Sequence, residues 1–302
     1  MRLFEDPKIN FIPNRKIGYA ISGLLIILSI GAIVFKGLQF GIDFRGGAEI
    51  VVAFEGDAPA VEEMRDILSD PLGRVPEVKT FGEDVMVRTD ADMDINEIQR
   101  IVLSTTESAF PQNNTEIIKA DVVGPRFADD LRNAALQSIL FALGVIFVYI
   151  LIRFKKWYYS AGAVAALAHD VLITLGLFTL LYDIVPFSLD IDQAIIAAFL
   201  TIVGYSLNDT VVVFDRIREN SLIFKTEDYD KTVNRSINNT LSRTVVTSIT
   251  TLLAVTILFV FGGEVLKGLS LALILGILLG TYSSIFVASS LLVDLQLRKA
   301  DS

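Results

Sequence analysis

Six separate runs of about 20 apolar residues dominate this chain: Ile17–Phe35, Ala134–Ile152, Trp157–Tyr182, Gln193–Phe214, Val245–Phe261 and Gly268–Val293. A helix of roughly 20 residues, rising ~1.5 Å per residue, crosses a hydrocarbon core of about 30 Å. In lipid every backbone N–H and C=O must find its partner within the protein, so these runs are read as helices. Barrel strands are excluded, because they would alternate polar and apolar residues. Hydrophobic residues make up 52% of the 302, too many for an ordinary soluble domain. The first run is read as an uncleaved anchor, since it is too long for a signal-peptide core and no A-x-A site follows Phe35.

Lysine and arginine set the expected orientation. They cluster before Ile17 (Arg2, Lys8, Arg15, Lys16), after the second run (Arg153, Lys155, Lys156), in the connection 215–243, and in the tail (Arg298, Lys299). The loop Asp183–Asp192 has none, and the short connection before Gly268 has only Lys267. Both termini are therefore expected in the cytoplasm. The layout is a tail over 1–16, a first span over 17–36, an extracytoplasmic domain over 37–131, a five-helix bundle over 132–293 and a tail over 294–302.

The segment 37–131 holds 20 Asp/Glu against eight Lys/Arg, so the chain's acidic balance is concentrated there. That balance argues against nucleic acid and is read as solubility. Its periodicity is legible. Ala48–Glu55 alternates as a strand, and Val61, Met64, Ile67 and Leu68 follow helical spacing. Glu77–Phe81 and Val85–Arg88 form a hairpin across Gly82, Ile95–Phe110 is helical, and Thr115–Val123 is a strand. The order β-α-β-β-α-β predicts a ferredoxin-like α+β domain between the first and second spans.

With no cysteine, thiol chemistry, disulfides and Cys-type metal sites are absent; one histidine excludes a His-rich metal site. No nucleophile–base set is visible, so an enzyme is not expected. Ionisable groups inside spans are costly and usually functional. His169 and Asp170 lie mid-way along the third run, Asp209 lies in the fourth within Gly204–Thr210, and Arg243 precedes the fifth. Asp209 and Arg243 fall at similar depth and are expected to pair. Burial favours a protonated carboxyl and a guanidinium favours an ionised one, and a carboxylate between those influences can load and release a proton. A helix–helix hydrogen bond is the alternative for Asp209, and snorkelling to the interface is the alternative for Arg243. His169 and Asp170 point about 100° apart on a helix, so a shared site is not required of them. A proton role and a structural bond stay open for both. Gly41-Ile42-Asp43-Phe44-Arg45-Gly46-Gly47 lacks the GK[ST] ending of a phosphate loop and reads as a turn launching a strand. Gly276-x-x-x-Gly280 permits close helix contact.

These residues resemble a known family. Gly41–Gly47 and its strand look like the signature after the first helix of SecD and SecF membrane proteins, with Gly41, Asp43, Arg45, Gly46 and Gly47 as its marks. Ser206–Asn220, Asn234–Thr244 and Ala168-His169-Asp170 are similar to the SecF branch, and the likeness covers nearly the whole chain. It implies an auxiliary subunit of the Sec protein-export machinery in the cytoplasmic (inner) membrane. Such a subunit is half of a resistance-nodulation-division (RND) type architecture, paired with SecD as the second six-helix half and associated with the SecYEG channel. The pair would use a proton or sodium gradient to help draw preproteins outward, with no cofactor beyond that ion. Asp209 and Arg243 match positions tied to ion translocation, and Asn208, His169 and Asp170 stand as further candidates. An RND-type small-molecule exporter half and a non-transporting assembly scaffold are the alternatives.

Overall fold

The structure, a computed structural model, describes residues 7–90 and 93–300, the side chains of 298–300 apart. Arg2, and the side chains of Arg298 and Lys299, lie outside the described residues. Two compact units emerge among the described residues: 7–38, 138–180 and 194–300 form one, and those of 39–137 with 181–193 form the other.

The smaller unit is an α+β domain. Its elements are α2 (Ile42–Arg45), β1 (Gly47–Phe54), α3 (Val61–Ser69), β2 (Glu77–Phe81), β3 (Asp84–Thr89), α4 (Ile95–Ala109) and β4 (Thr115–Val123). The antiparallel sheet has the order β2-β3-β1-β4, with Ile50 opposite both Val87 and Ala120. That order is the ferredoxin-like arrangement expected from the sequence. Ala48, Ile50 and Val52 share one face of β1 by its period of two. There they pack with Val85 and Val87 of β3, Met64 and Leu68 of α3, and Ile98 and Val102 of α4. The hairpin turns at Gly82, whose φ of 69° is readily adopted only without a Cβ. Asp94 caps α4, its carboxylate accepting from the Asn96 amide at 2.9 Å.

The larger unit contains α1 (Arg15–Lys36), most of α5 (Pro125–Phe154), α6 (Trp157–Leu181), α7 (Gln193–Ile223), α8 (Tyr229–Phe261) and α9 (Glu264–Ser283). A π-turn at Ser284–Ala288 leads on into α10 (Ser289–Ala300). Among the described residues, six helical stretches are long and apolar enough to span a membrane, the sixth running from Glu264 to Leu297. In α6, α7 and that sixth stretch about half of the apolar window is buried (50, 44 and 44%), against 6% in α5 and 11% in α8. The first three are therefore the centre of the unit. Gly276 and Gly280 set their approach. A Cβ on Gly276 would sit 2.2 Å from Ile202 of α7, and one on Gly280 would sit 2.9 Å from Ser206.

The boundaries differ from the sequence reading in two places. Helix α5 begins at Pro125, before the expected limit of 131. The expected connection 215–243 is mostly helix, because α7 continues to Ile223 and α8 starts at Tyr229. Phe214, Ile217, Val233, Ile237 and Leu241 explain it: they bury a helical stripe in the core even where polar residues flank them.

Candidate functional site: two buried carboxylates in the helical bundle

Asp209 is 7% exposed and has two hydroxyl donors. Thr244 Oγ1 of α8 donates to Oδ1 at 2.6 Å, and Ser284 Oγ of the π-turn donates to Oδ2 at 2.8 Å. The expected ion pair with Arg243 is not formed. Thr244 lies about 100° around the helix from Arg243, so the residue that turns Thr244 inward turns its neighbour out. Arg243 is exposed, and its charge reaches Asp209 through space rather than by contact. It lines an open cavity of about 1160 Å³ with Lys8, Arg216, Arg235, Glu227 and Asp230. Asn208 is also exposed and lies outside the Asp209 contacts.

Asp170 is fully buried. Its Oδ2 accepts from Ser206 Oγ of α7 and from Ser283 Oγ of α9, each at 2.7 Å. Its Oδ1 lies 2.9 Å from His169 Nδ1, so the two neighbours do share one site. The other ring nitrogen, Nε2, is 3.1 Å from Ser22 Oγ of α1. Ser22 in turn is 3.1 Å from the Tyr282 hydroxyl, which donates to the Gly18 carbonyl at 2.8 Å.

Sequence places these two carboxylates on different helices, and the bundle links them through hydroxyl donors carried on the same elements. Ser206 and Asp209 are one turn apart on α7. Consecutive residues Ser283 and Ser284, where α9 gives way to the π-turn, serve Asp170 and Asp209 respectively. A π-turn is costly and often marks a functional position. The serine pattern went unread in the sequence, although Ser283, Ser284, Ser289 and Ser290 interrupt an apolar run and are all buried.

The signature loop lies in the smaller unit. Ile42–Arg45 is one helical turn, and Gly46 and Gly47 have φ of 78° and 122°. A Cβ on Gly47 would lie 2.7 Å from the Thr89 carbonyl. The loop holds the segment 181–193: Gly41 N donates to Ile191 O at 3.0 Å, and the Gln193 amide donates to Asp43 Oδ2 at 2.9 Å. Gln193 opens α7, so Asp43 supplies an acceptor for an N–H at that helix start. Arg45 is 3.5 Å from Glu77.

One buried charge cluster was missed. Glu49 of β1 faces Arg88 of β3 directly in the ladder, on the side away from α3 and α4. Arg88 Nη2 donates to Glu49 Oε2 at 2.6 Å and to Asp190 Oδ2 at 3.0 Å, while Lys119 donates to Glu49 Oε1 at 2.8 Å. Burial alone would raise both carboxyls, but the Arg88 charge and its hydrogen bonds hold Glu49 and Asp190 below the usual carboxylate range. Burial likewise works against the guanidinium, and Asp190 and Glu49 outweigh it, raising Arg88. Opposite charges at matching positions of two apolar strands were the available signal.

A multi-pass helical membrane protein with buried carboxylates in its bundle and a ferredoxin-like insert after the first span defines the class. The model described as "Protein export membrane protein SecD/SecF, C-terminal" matches residues 102–298, and "SecD/SecF GG Motif" matches 31–58. The chain belongs to the SecD/SecF family of protein-export membrane proteins. "Protein translocase subunit SecF" of Rhodothermus marinus is 58% identical over 301 residues, covering 99% of this chain and 97% of that one. The protein of the same name from Desulfurispirillum indicum is 42% identical over 293 residues, covering 94% and 91%. The crystal structure of SecDF from Thermus thermophilus, described as a translocon-associated membrane protein, superposes with a TM-score of 0.87 at 37% identity. That match takes in 97% of this chain and 39% of the SecDF chain, so this chain spans about two-fifths of it. A SecDF structure described as the super-membrane-facing form matches with a TM-score of 0.72 at 36% identity.

Proposed function

We propose that this chain is the SecF subunit of the Sec export machinery and couples an ion gradient to preprotein movement at the SecYEG channel, with SecD as partner. The observation that carries the reading is Asp209. It is an ionisable group inside a span, bonded only to hydroxyls among the described residues. A fixed structural carboxylate in lipid would be expected to hold a cation, whereas a carboxylate served by Thr244 and Ser284 is free to take up a proton and lose it. The proton is the coupling ion that fits best, and the same four oxygens would also accept sodium. Relatives named as translocase subunits over almost their whole length support the pathway. A SecDF chain that contains this fold and extends well beyond it supports SecD as the second half.

The proposed setting is the cytoplasmic membrane, with both termini and the Arg243 cavity inside and the ferredoxin-like unit outside. The Lys/Arg asymmetry of the connections supports it. Exposed Asn208 and Arg243, at polar points of α7 and α8, then face SecD rather than hydrocarbon.

The test is secretion of a preprotein through vesicles holding SecYEG, SecD and this chain, with a proton or a sodium gradient imposed and then collapsed. Stimulation that needs this chain and follows the proton gradient is expected. Stimulation following only sodium would change the ion. Equal secretion with and without either gradient would leave the chain an assembly scaffold.

A further inference from the structure

The hydrogen-bond network around His169 fixes where one proton must be. The Tyr282 hydroxyl has a single hydrogen and gives it to the Gly18 carbonyl, which can only accept. Toward Ser22 it therefore accepts, and Ser22 spends its own hydrogen on Tyr282. Ser22 must then accept from His169, so Nε2 carries a hydrogen. On the other side, Asp170 Oδ2 is occupied by hydrogens from Ser206 and Ser283. What remains is the 2.9 Å contact between His169 Nδ1 and Asp170 Oδ1. A hydrogen bond there needs one proton. With none, two lone pairs face each other; with two, two hydrogens collide. The pair is neutral overall in either allowed form: imidazolium with carboxylate, or imidazole with carboxylic acid.

We infer that His169 and Asp170 form a second proton-holding site in the bundle, a dyad that carries one exchangeable proton in the same cycle as Asp209. This rests on the reading of the chain as gradient-driven. Loss of the proton turns the Nδ1–Oδ1 contact repulsive in a site 0–5% exposed, so release drives the two groups apart. The elements they push are the ones that serve Asp209. Ser206 rides on α7 with Asp209, and Ser283 is followed directly by Ser284 at the π-turn. The groups facing the dyad are Ser22 of α1, Ser206 of α7, and Tyr282 and Ser283 of α9. Asp209 is the neighbouring carboxylate, and no Lys or Arg bonds to either member among the described residues. The proton moves between Oδ1 and Nδ1 within the dyad. In exchange the proton passes from that contact to a water molecule, leaving imidazole beside carboxylate.

Asp170→Asn separates this from a structural role. An asparagine at 170 can accept from both serines with its carbonyl and donate its amide hydrogen to Nδ1 of a neutral His169, keeping every bond while holding a permanent stand-in for the protonated acid. The expected result is normal membrane level and SecD capture with loss of gradient-stimulated export. Normal stimulation would overturn the inference. Should that variant fail to accumulate, the single histidine of the chain decides. In the SecD complex with this chain alone ¹⁵N-histidine labelled, Nε2 should be protonated at every pH. The Nδ1 resonance should shift with pH, as the proton it shares with Asp170 Oδ1 is held or lost. An Nδ1 signal invariant with pH, or an unprotonated Nε2, would contradict the dyad. Asp209→Asn is the control: if it keeps stimulated export, the gradient-driven reading fails, whereas loss in Asp209→Asn with retention in Asp170→Asn removes only the second site.

Discussion

At the scale of single residues, what distinguishes the two halves of this protein is how each buried charge is compensated. Asp209 and Asp170 have hydroxyls and one imidazole. Glu49 and Asp190 have a guanidinium and an ammonium. The second arrangement is static and its removal is costly. Arg88→Met leaves two buried carboxylates without their main partner, and it should destabilise the smaller unit by about 3–5 kcal/mol. Thermal unfolding of the purified protein followed across pH adds a sign. The Glu49 and Asp190 carboxyls lie below their ordinary values in the fold, so their stabilisation is complete above pH ~5 and is lost as pH falls through the folded values. Wild-type stability should therefore drop on acidification, and the Arg88→Met profile should be flatter. An identical pH slope in the two proteins would show that the cluster is not the source. Arg243 belongs to neither set. Because it does not touch Asp209, Arg243→Met should leave membrane level unchanged while lowering gradient-stimulated export, and Arg243→Lys should retain part of it by keeping the charge. A full level of export in Arg243→Met would remove the residue from the mechanism.

At the scale of elements, α7 deserves its length. It begins on an amide held by Asp43 of the signature loop and carries Ser206 and Asp209 inward. Asp43→Ala should cost about 1 kcal/mol at that helix start, as other lost caps do. It should be seen as faster amide hydrogen exchange at the first turn of α7, with mid-helix amides unchanged; protection equal to wild type would mean the Asp43 contact is not held in solution. This partnership shows where sequence reading stops. The strands, helices and hairpin of residues 47–123 were legible because the hydrophobic period changes from two to 3.6 within a few residues. The spans were legible from length alone. Asp209, Asp170 and His169 stood out because charge inside an apolar run is conspicuous. Their partners did not. Ser283, Ser284 and Thr244 are ordinary residues in helices, and only the packing of α7 on α9 through Gly276 and Gly280 says which face meets which carboxylate. Asp209 meets α8 at Thr244, next to Arg243 in the chain, but the rotation of the helix carries Arg243 away. One residue along α8 turns a side chain from the core to the surface, so Thr244, and not its neighbour, arrives.

For the whole molecule, two properties must hold. The orientation requires the acidic unit and the Arg243 cavity to lie on opposite sides of the membrane. The chain has no cysteine, so single cysteines placed at Asp90 and Lys225 report it cleanly. An impermeant thiol reagent on intact cells should label position 90 and not 225, and the reverse pattern would invert the topology. The central demand is that the bundle works by moving a proton at Asp209. Asp209→Asn keeps the size of the side chain; its carbonyl oxygen can accept from one of the Thr244 and Ser284 hydroxyls and its amide can donate to the oxygen of the other, yet it cannot exchange a proton near neutral pH. The decisive measurement is gradient-stimulated export by this variant in cells depleted of the native protein, with membrane levels of the variant and of SecD followed in parallel. Precursor should accumulate at normal levels of both subunits; normal export at those levels would show that Asp209 carries no proton in the cycle.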